Sequence, residues 1–477
     1  MDQKTAGGTP AVQGRPAATT ALLLACAAHF LVLFDVSVMT VALPSVQADL
    51  GFAPAGLQWV VSGYTLAFAG LLLLGGRLAD LYGHRRAFFG GFAVFTVTSL
   101  IGGLASTPAM LIAARAGQGV GAAVLAPLAL TLLTTTFPEG PRRTRALTIW
   151  TAVSLAGGAS GNLLGGVLTE YLSWRSVLLI NVLIGVPAVL FAARVLPHRD
   201  AVRRRVRLDL PGAVLATAAL TLLTLGIAQA HTHAWSAPDT AVPLLGGVIA
   251  LAAFVFVEAR CAPAPLIPPR LFGLPGIGWG NLAMLLAGAS QVPLWYFLTL
   301  TMQDVLHYSA AQTGLGFLPH AVVMLLVGLR LIPWLMQRVQ ARSLIAAGAL
   351  IAATGFWWQS GVTPDSDYLT GVFGPAVAIS FGGGLLSTPL TSTVTAGVEA
   401  ADAGAASGLM NTTRQFGGAA GLAVVLTLTT TDAHAAPAAL ADSYGNAFRA
   451  IAVILVALAA LTPVLPALRD TRPATRH

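Results

Sequence analysis

The stretch ALLLACAAHFLVLFDVSVMTVAL, Ala21–Leu43, exceeds the roughly 20 apolar residues needed to cross a bilayer, and its only charge is Asp35. A carboxylate in hydrocarbon costs several kcal/mol unless it is paired, wetted or protonated. Its natural use is to bind and release a proton as its surroundings alternate between the two sides of a membrane. The rest of the chain is written in the same apolar language. Of 477 residues, 56% are hydrophobic and 9% charged, and mean hydropathy is +0.77. A soluble domain carries about 25% charged residues, so lipid is the solvent here and the chain reads as an all-α integral membrane protein.

Fourteen spans follow, at about 19–43, 56–80, 87–106, 108–135, 146–170, 176–196, 210–229, 240–259, 276–300, 312–335, 342–360, 369–395, 404–430 and 446–468. The loops between them separate by charge. With the N-terminus in the cytoplasm, the cytoplasmic loops hold Arg85 and Arg86; Arg142, Arg143 and Arg145; Arg199, Arg203, Arg204, Arg205 and Arg207; Arg260 and Arg270; and Arg338 and Arg342. The tail adds Arg469, Arg472 and Arg476. The outer loops hold Asp49, Asp239, Asp365, Asp367, Asp432 and Asp442, with Arg175 as the exception. This is the positive-inside pattern, and it places both termini in the cytoplasm of a multi-pass cell-membrane protein. It also accounts for the net charge of +8 without nucleic acid. Arg203–Arg207 reads as a topology anchor, with anionic lipid headgroups as the alternative partner. The polar first 18 residues read as a retained tail. Two distant cysteines, Cys26 and Cys261, predict neither a disulfide nor a metal cluster.

Several polar residues fall at one depth. Asp35, Tyr64, Arg115 and Asn162 each lie about seven or eight residues from the outer end of their spans, on the order of 10–12 Å below the surface. Gln118 is one turn below Arg115. Such groups should face the bundle interior and find one another. Arg115 is the cation at that depth, so Asp35 and Arg115 are the proton-coupling candidates, against the alternative of a structural pair that fixes helix packing. Tyr64, Gln118, Asn162, Gln291 and Arg414 are candidate cavity residues. Arg414 is equally readable as a structural charge, and His29 and His320 as hydrogen-bonded packing residues. Gly157, Gly161 and Gly165 recur at spacing four, with Gly158 and Gly166 beside them, a smooth strip on which another helix can approach closely.

Several motifs together resemble the major facilitator superfamily and its fourteen-span drug:proton antiporter branch. GGRLADLYGHRR, Gly75–Arg86, resembles the loop signature between spans two and three, with Gly76, Asp80, Gly83, Arg85 and Arg86 at its marked positions. RAGQGVG, Arg115–Gly121, resembles the span-four motif. GNLLGG, Gly161–Gly166, resembles the antiporter motif of span five. FDVSVMTVALP, WVVSGYTL, WRSVLLINVLIG and NTTRQFGG resemble the same branch. The departures are Asn162 where proline is usual, Ser37 and Thr40 where threonine and asparagine are usual, and His320 where an apolar residue is usual.

The resemblance implies two six-helix bundles around a central cavity plus an inserted helix pair. The expected units are an N-terminal tail over about 1–18, a bundle over 19–196, a basic loop with the inserted pair over 197–275, a second bundle over 276–468 and a C-terminal tail over 469–477. It implies proton-coupled efflux of a small organic molecule, a drug or antibiotic, by alternating access, with an inner-gate charge lock at Asp80. The alternative is an exporter of one metabolite made by the host. The partners expected are the substrate, protons and membrane lipid, with the chain a monomer and no cofactor beyond the proton gradient. A membrane enzyme would need an acid or histidine cluster near the surface, and ATP-driven transport a GxxxxGK loop; the sequence has neither.

Overall fold

The computed structural model describes residues 15–137, 141–195, 209–230, 233–262, 265–399, 402–429 and 436–466. The side chains of Gly76 and Asp80, the arginines at 199–207, Asp432 and the C-terminal tail lie outside the described residues. Among the described residues every regular element is helical. Eleven helical rods among the described residues are long and apolar enough to cross a membrane. Three more helices, Pro54–Tyr82, Pro141–Tyr171 and Ala403–Leu426, have 29, 31 and 24 residues and complete the fourteen expected crossings. The chain is a multi-pass membrane protein.

The first six helices are α1 (Arg15–Leu50), α2 (Pro54–Tyr82), α3 (His84–Gly103), α4 (Pro108–Thr136), α5 (Pro141–Tyr171) and α6 (Trp174–Val195). They pack on one another: α1 on α4, α5 and α6, α2 on α4, and α3 on α4 and α6. The hairpin α7 (Leu210–Gln229) and α8 (Pro238–Phe256) follows. The second group comprises α9 (Pro275–Leu300), the broken rod α10 (Ala310–Gly316), α11 (Leu318–Leu326) and α12 (Ile332–Leu335), then α13 (Ala341–Gln359), α14 (Gly374–Val394), α15 (Ala403–Leu426) and α16 (Pro437–Leu461). Here α9 packs on α15 and α16, and α13 on α14 and α16. The halves meet along α2–α15 and α5–α10, with α7 laid against both α2 and α15.

The boundaries depart from the sequence reading where chemistry other than hydropathy decides. The expected loop with Arg85 and Arg86 shrinks to Gly83. Its φ of 78° turns the chain, and both arginines already sit in the first turn of α3. Arg142, Arg143 and Arg145 likewise begin α5 rather than a loop. The last helix starts at Pro437, so Asp442 is on α16 and not in a loop. Asp49 closes the final turns of α1. The tenth span is broken, because Pro319 and Pro333 each open a new helical segment and a π-turn at Val327–Leu331 precedes the second.

Two faces of the bundle can be told apart: the near face, where α1 begins, and the far face, where it ends. Arg175, the exception to the charge pattern, is on the far face. It donates to Asp49 at 2.6 Å and to the Ala105 carbonyl at 3.1 Å, and stacks on Trp174 at 4.5 Å. On the near side Arg270 forms a two-pronged bond to Asp402, at 2.6 and 2.8 Å, and holds that carboxyl below the usual carboxylate range. It ties the segment before α9 to the start of α15.

Helix α15 lies against α9 through glycines. A Cβ at Gly417 would strike the Leu285 carbonyl, and one at Gly421 the Ala289 backbone. Gly417→Leu should therefore destabilise the protein by about 1–3 kcal/mol through overpacking, visible as a lower thermal midpoint in detergent. An unchanged midpoint would mean that the crossing is loose.

Candidate functional site

Asp35 is fully buried in α1. Three donors reach its carboxylate. Arg115 Nη1 of α4 lies 2.5 Å from Oδ2, Gln118 Nε2 of α4 donates to Oδ1 at 2.8 Å, and Asn181 Nδ2 of α6 donates to Oδ1 at 2.6 Å. The guanidinium is held in turn. Its Nε donates to the Val60 carbonyl of α2 at 3.0 Å, Nη1 also donates to Gln118 Oε1 at 2.8 Å, and Cζ sits 4.6 Å over the Tyr64 ring. Gln118 also donates to Ser99 of α3 at 2.7 Å, and Ser99 donates to the Phe95 carbonyl at 2.7 Å. The charged pair thus draws in five helices, α1, α2, α3, α4 and α6.

The spacing explains the convergence. Arg115 and Gln118 are three apart on α4 and face the same way. A buried ion pair needs its remaining lone pairs and protons satisfied to recover its desolvation cost, and the two amides and the Val60 carbonyl do this. Tyr64 packs beneath the arginine, and its hydroxyl has no hydrogen-bond partner.

Some expected cavity residues are placed differently. Tyr64 and Gln118 are buried in the Asp35 cluster, not on an open wall. Asn162 does not join the cluster. The strip Gly157, Gly161 and Gly165 rides on α1, where Cβ atoms would meet the Phe30, Phe34 and Val38 carbonyls at 3.0, 2.7 and 2.7 Å. One residue further round α5, the backbone carbonyl of Asn162 faces Gly314 of α10; Gly166 likewise meets the Ala310 carbonyl. The strip therefore has two edges, one closing α5 on its own half and one closing it on the other.

Arg414 lies midway along α15 and is exposed. It donates to Asn411 at 3.1 Å and interacts electrostatically with His29 of α1, in the first group of helices. His29 stacks on Trp150 of α5 at 4.3 Å. Gln291 is exposed on α9, one turn before Trp295. His320 is buried, bonded to Ser380 at 2.7 Å and packed edge-on against Trp295 at 5.3 Å. It is a packing residue of the second half.

Asn181 and Ser99 escaped the sequence reading as site residues. Asn181 left a signal, an amide inside the apolar run LLINVLIG. Ser99 left none, because a lone serine in a span usually bonds its own helix. Among the described residues no cluster of three or more metal-ligating side chains occurs.

Residues 25–422 match the Major Facilitator Superfamily. The chain belongs to that family of transporters. It is 73% identical to the cephamycin export protein of Amycolatopsis lactamdurans over 96% of this chain and 95% of that one. It is 40% identical to the puromycin resistance protein of Streptomyces alboniger, over 94% and 91%. With the tetracenomycin C resistance and export protein of Streptomyces glaucescens it shares 32% over 87% and 77%. Among solved structures, a proton-dependent oligopeptide transporter superimposes with a TM-score of 0.68 over 93% of this chain and 98% of that one. The human organic anion transporter MFSD10 gives 0.61 over 94% and 100%. Both are 14% identical and share the fold.

Arg115→Ala should destabilise the facilitator by about 3–5 kcal/mol, because it strands a buried carboxylate. Adding Asp35→Asn should restore most of the loss in thermal unfolding. A double variant as unstable as the single would show that the pair is not the source of the cost.

Proposed function

We propose that this transporter exports a cephamycin-type antibiotic across the cytoplasmic membrane in exchange for protons. The observation that carries the proton half is the Asp35 carboxylate, buried in the membrane and held by one cation and two amides. The substrate half rests on the 73% identity with a cephamycin exporter, which favours a dedicated natural-product exporter over a broad multidrug pump.

With the basic loops in the cytoplasm, the far face is outward. There the halves are shut. Gln303, in the turn after α9, donates to the Val41 carbonyl of α1 at 2.9 Å, and Glu170 of α5 accepts the Ala311 N–H of α10 at 2.8 Å. These outer contacts support reading this conformation as the inward-facing one. Loss of this outer latch would open the other side. A proton arriving at Asp35 removes the anion that Arg115, Gln118 and Asn181 grip, and α1 carries that change six residues on to Val41, at the latch. Release of the proton inside restores the grip. Asp80 and the arginines of α3 are proposed as the inner lock, and the smooth edge of α5 as the surface on which the halves rock.

Arg414 is an exposed cation midway along α15, and a cephamycin carries a carboxylate. It is the proposed substrate anchor, with Gln291 lining the same space. Asn162 is assigned to the hinge line instead.

Two outcomes follow. Asp35→Asn should leave a folded protein that has lost protonophore-sensitive cephamycin uptake into energised inverted vesicles; full uptake would remove Asp35 from the coupling. Arg414→Gln should raise the KM for cephamycin about 10- to 100-fold, one charge-assisted hydrogen bond of ~1.5–3 kcal/mol. An unchanged KM would place the substrate carboxylate elsewhere.

A further inference from the structure

At the near end of the inserted hairpin, two carboxylates converge away from the Asp35 site. Asp209 caps α7, and Glu258 lies in the π-turn after α8. Both are buried, at 6% and 7% exposure. Each has one oxygen satisfied by backbone. Asp209 Oδ1 accepts the Gly212 N–H at 2.8 Å, and Glu258 Oε2 accepts the Ile267 N–H at 3.1 Å. The other oxygens, Asp209 Oδ2 and Glu258 Oε1, have no donor. They converge on one point: a Cβ at Gly212 would meet the first at 2.5 Å and the second at 2.9 Å. The surroundings are apolar, with Ala213, Leu266, Ile267 and Leu271 in the adjoining core.

Two facing, buried, donor-less carboxylate oxygens repel unless a cation sits between them. We propose that Asp209 and Glu258 form a proton-binding site in which one proton, taken from cytosolic water, is shared between Asp209 Oδ2 and Glu258 Oε1. The pair then carries one negative charge instead of two. That remaining charge lies at the N-terminus of α7, where the helix dipole favours it. A metal ion fits poorly, since hard divalent cations need about six or more oxygen ligands and two carboxylate oxygens are on offer.

Among the described residues no charged group donates to either free oxygen. Arg260 and Cys261, on the same turn, are exposed, and Arg270 is committed to Asp402. From α2 and α15 the packing against α7 is apolar, through Leu66, Ala69, Leu220 and Ala419; the side chains of Arg77 and Asp80, and Arg203–Arg207, lie outside the described residues. The site clasps the start of α7, the end of α8 and, through Ile267, the segment leading to α9. Because α7 lies on both halves, the clasp sets how firmly the hairpin holds the seam, and cytosolic pH sets the clasp. When pH rises and the proton leaves, two anions face each other and the clasp loosens. The unfolded chain binds no proton on these groups near neutrality and the folded chain binds one, so stability falls as pH rises through the pair's titration.

The test is infrared spectroscopy of the purified full-length protein across neutral pH, with thermal unfolding on the same samples. Wild type should show the carbonyl stretch of a protonated carboxylic acid that disappears on alkalinisation. Glu258→Gln and Asp209→Asn should each lose that band, since the new amide donates to the remaining carboxylate, whereas Asp35→Asn should keep it. The thermal midpoint of wild type should fall with rising pH and that of Glu258→Gln should not. If one variant fails to fold, the other reports the band. A band unchanged in the variants, a wild type with no such band, or a carboxylate response that follows added Ca2+ at fixed pH would each overturn the proposal.

Discussion

Everything in the first half of this transporter is arranged around one carboxylate that the membrane would otherwise expel. An ion buried in hydrocarbon must be compensated by groups within bonding distance. The chain brings a guanidinium and two amides from two other helices to Asp35. It then anchors the guanidinium on a carbonyl and an aromatic face. These contacts fix how α1, α2, α3, α4 and α6 sit together. A change in the charge of Asp35 is therefore felt by five helices at once.

Glycine supplies the second constraint. Without a strong hydrophobic force between helices in lipid, close backbone approach supplies the packing. Gly157, Gly161 and Gly165 lay α5 on α1, while Gly166 and Gly314 let α5 meet α10 of the other half. One helix thus packs on its own bundle along one edge and on the other half along the next. The near side is held by a two-pronged polar tie, Arg270 to Asp402, between the segment before α9 and the start of α15.

Much of this was legible in the sequence. Hydropathy and charge separation gave the crossings, and Asp35 with Arg115 followed from depth alone. Sequence gives depth more readily than azimuth: Gln118 is readable as a residue at the depth of Asp35, but that it bonds Asp35 and Ser99 is not, and one residue along a helix is a turn of about 100°. Asn181 was visible as an isolated amide and Ser99 was not visible at all. The helix ends were misplaced where proline, a positive-φ glycine or an interfacial aspartate decides the boundary, since a hydropathy window registers none of these. The meeting of Asp209 and Glu258, 49 positions apart, is a product of the hairpin's closure.

The account stands on Asp35 giving up its proton when substrate binds. The direct measurement is proton release on adding cephamycin to the purified transporter in lightly buffered solution, wild type beside Asp35→Asn. The account predicts that binding displaces protons from wild type and none from the variant. Saturable binding without proton release, or equal release from both proteins, would contradict it.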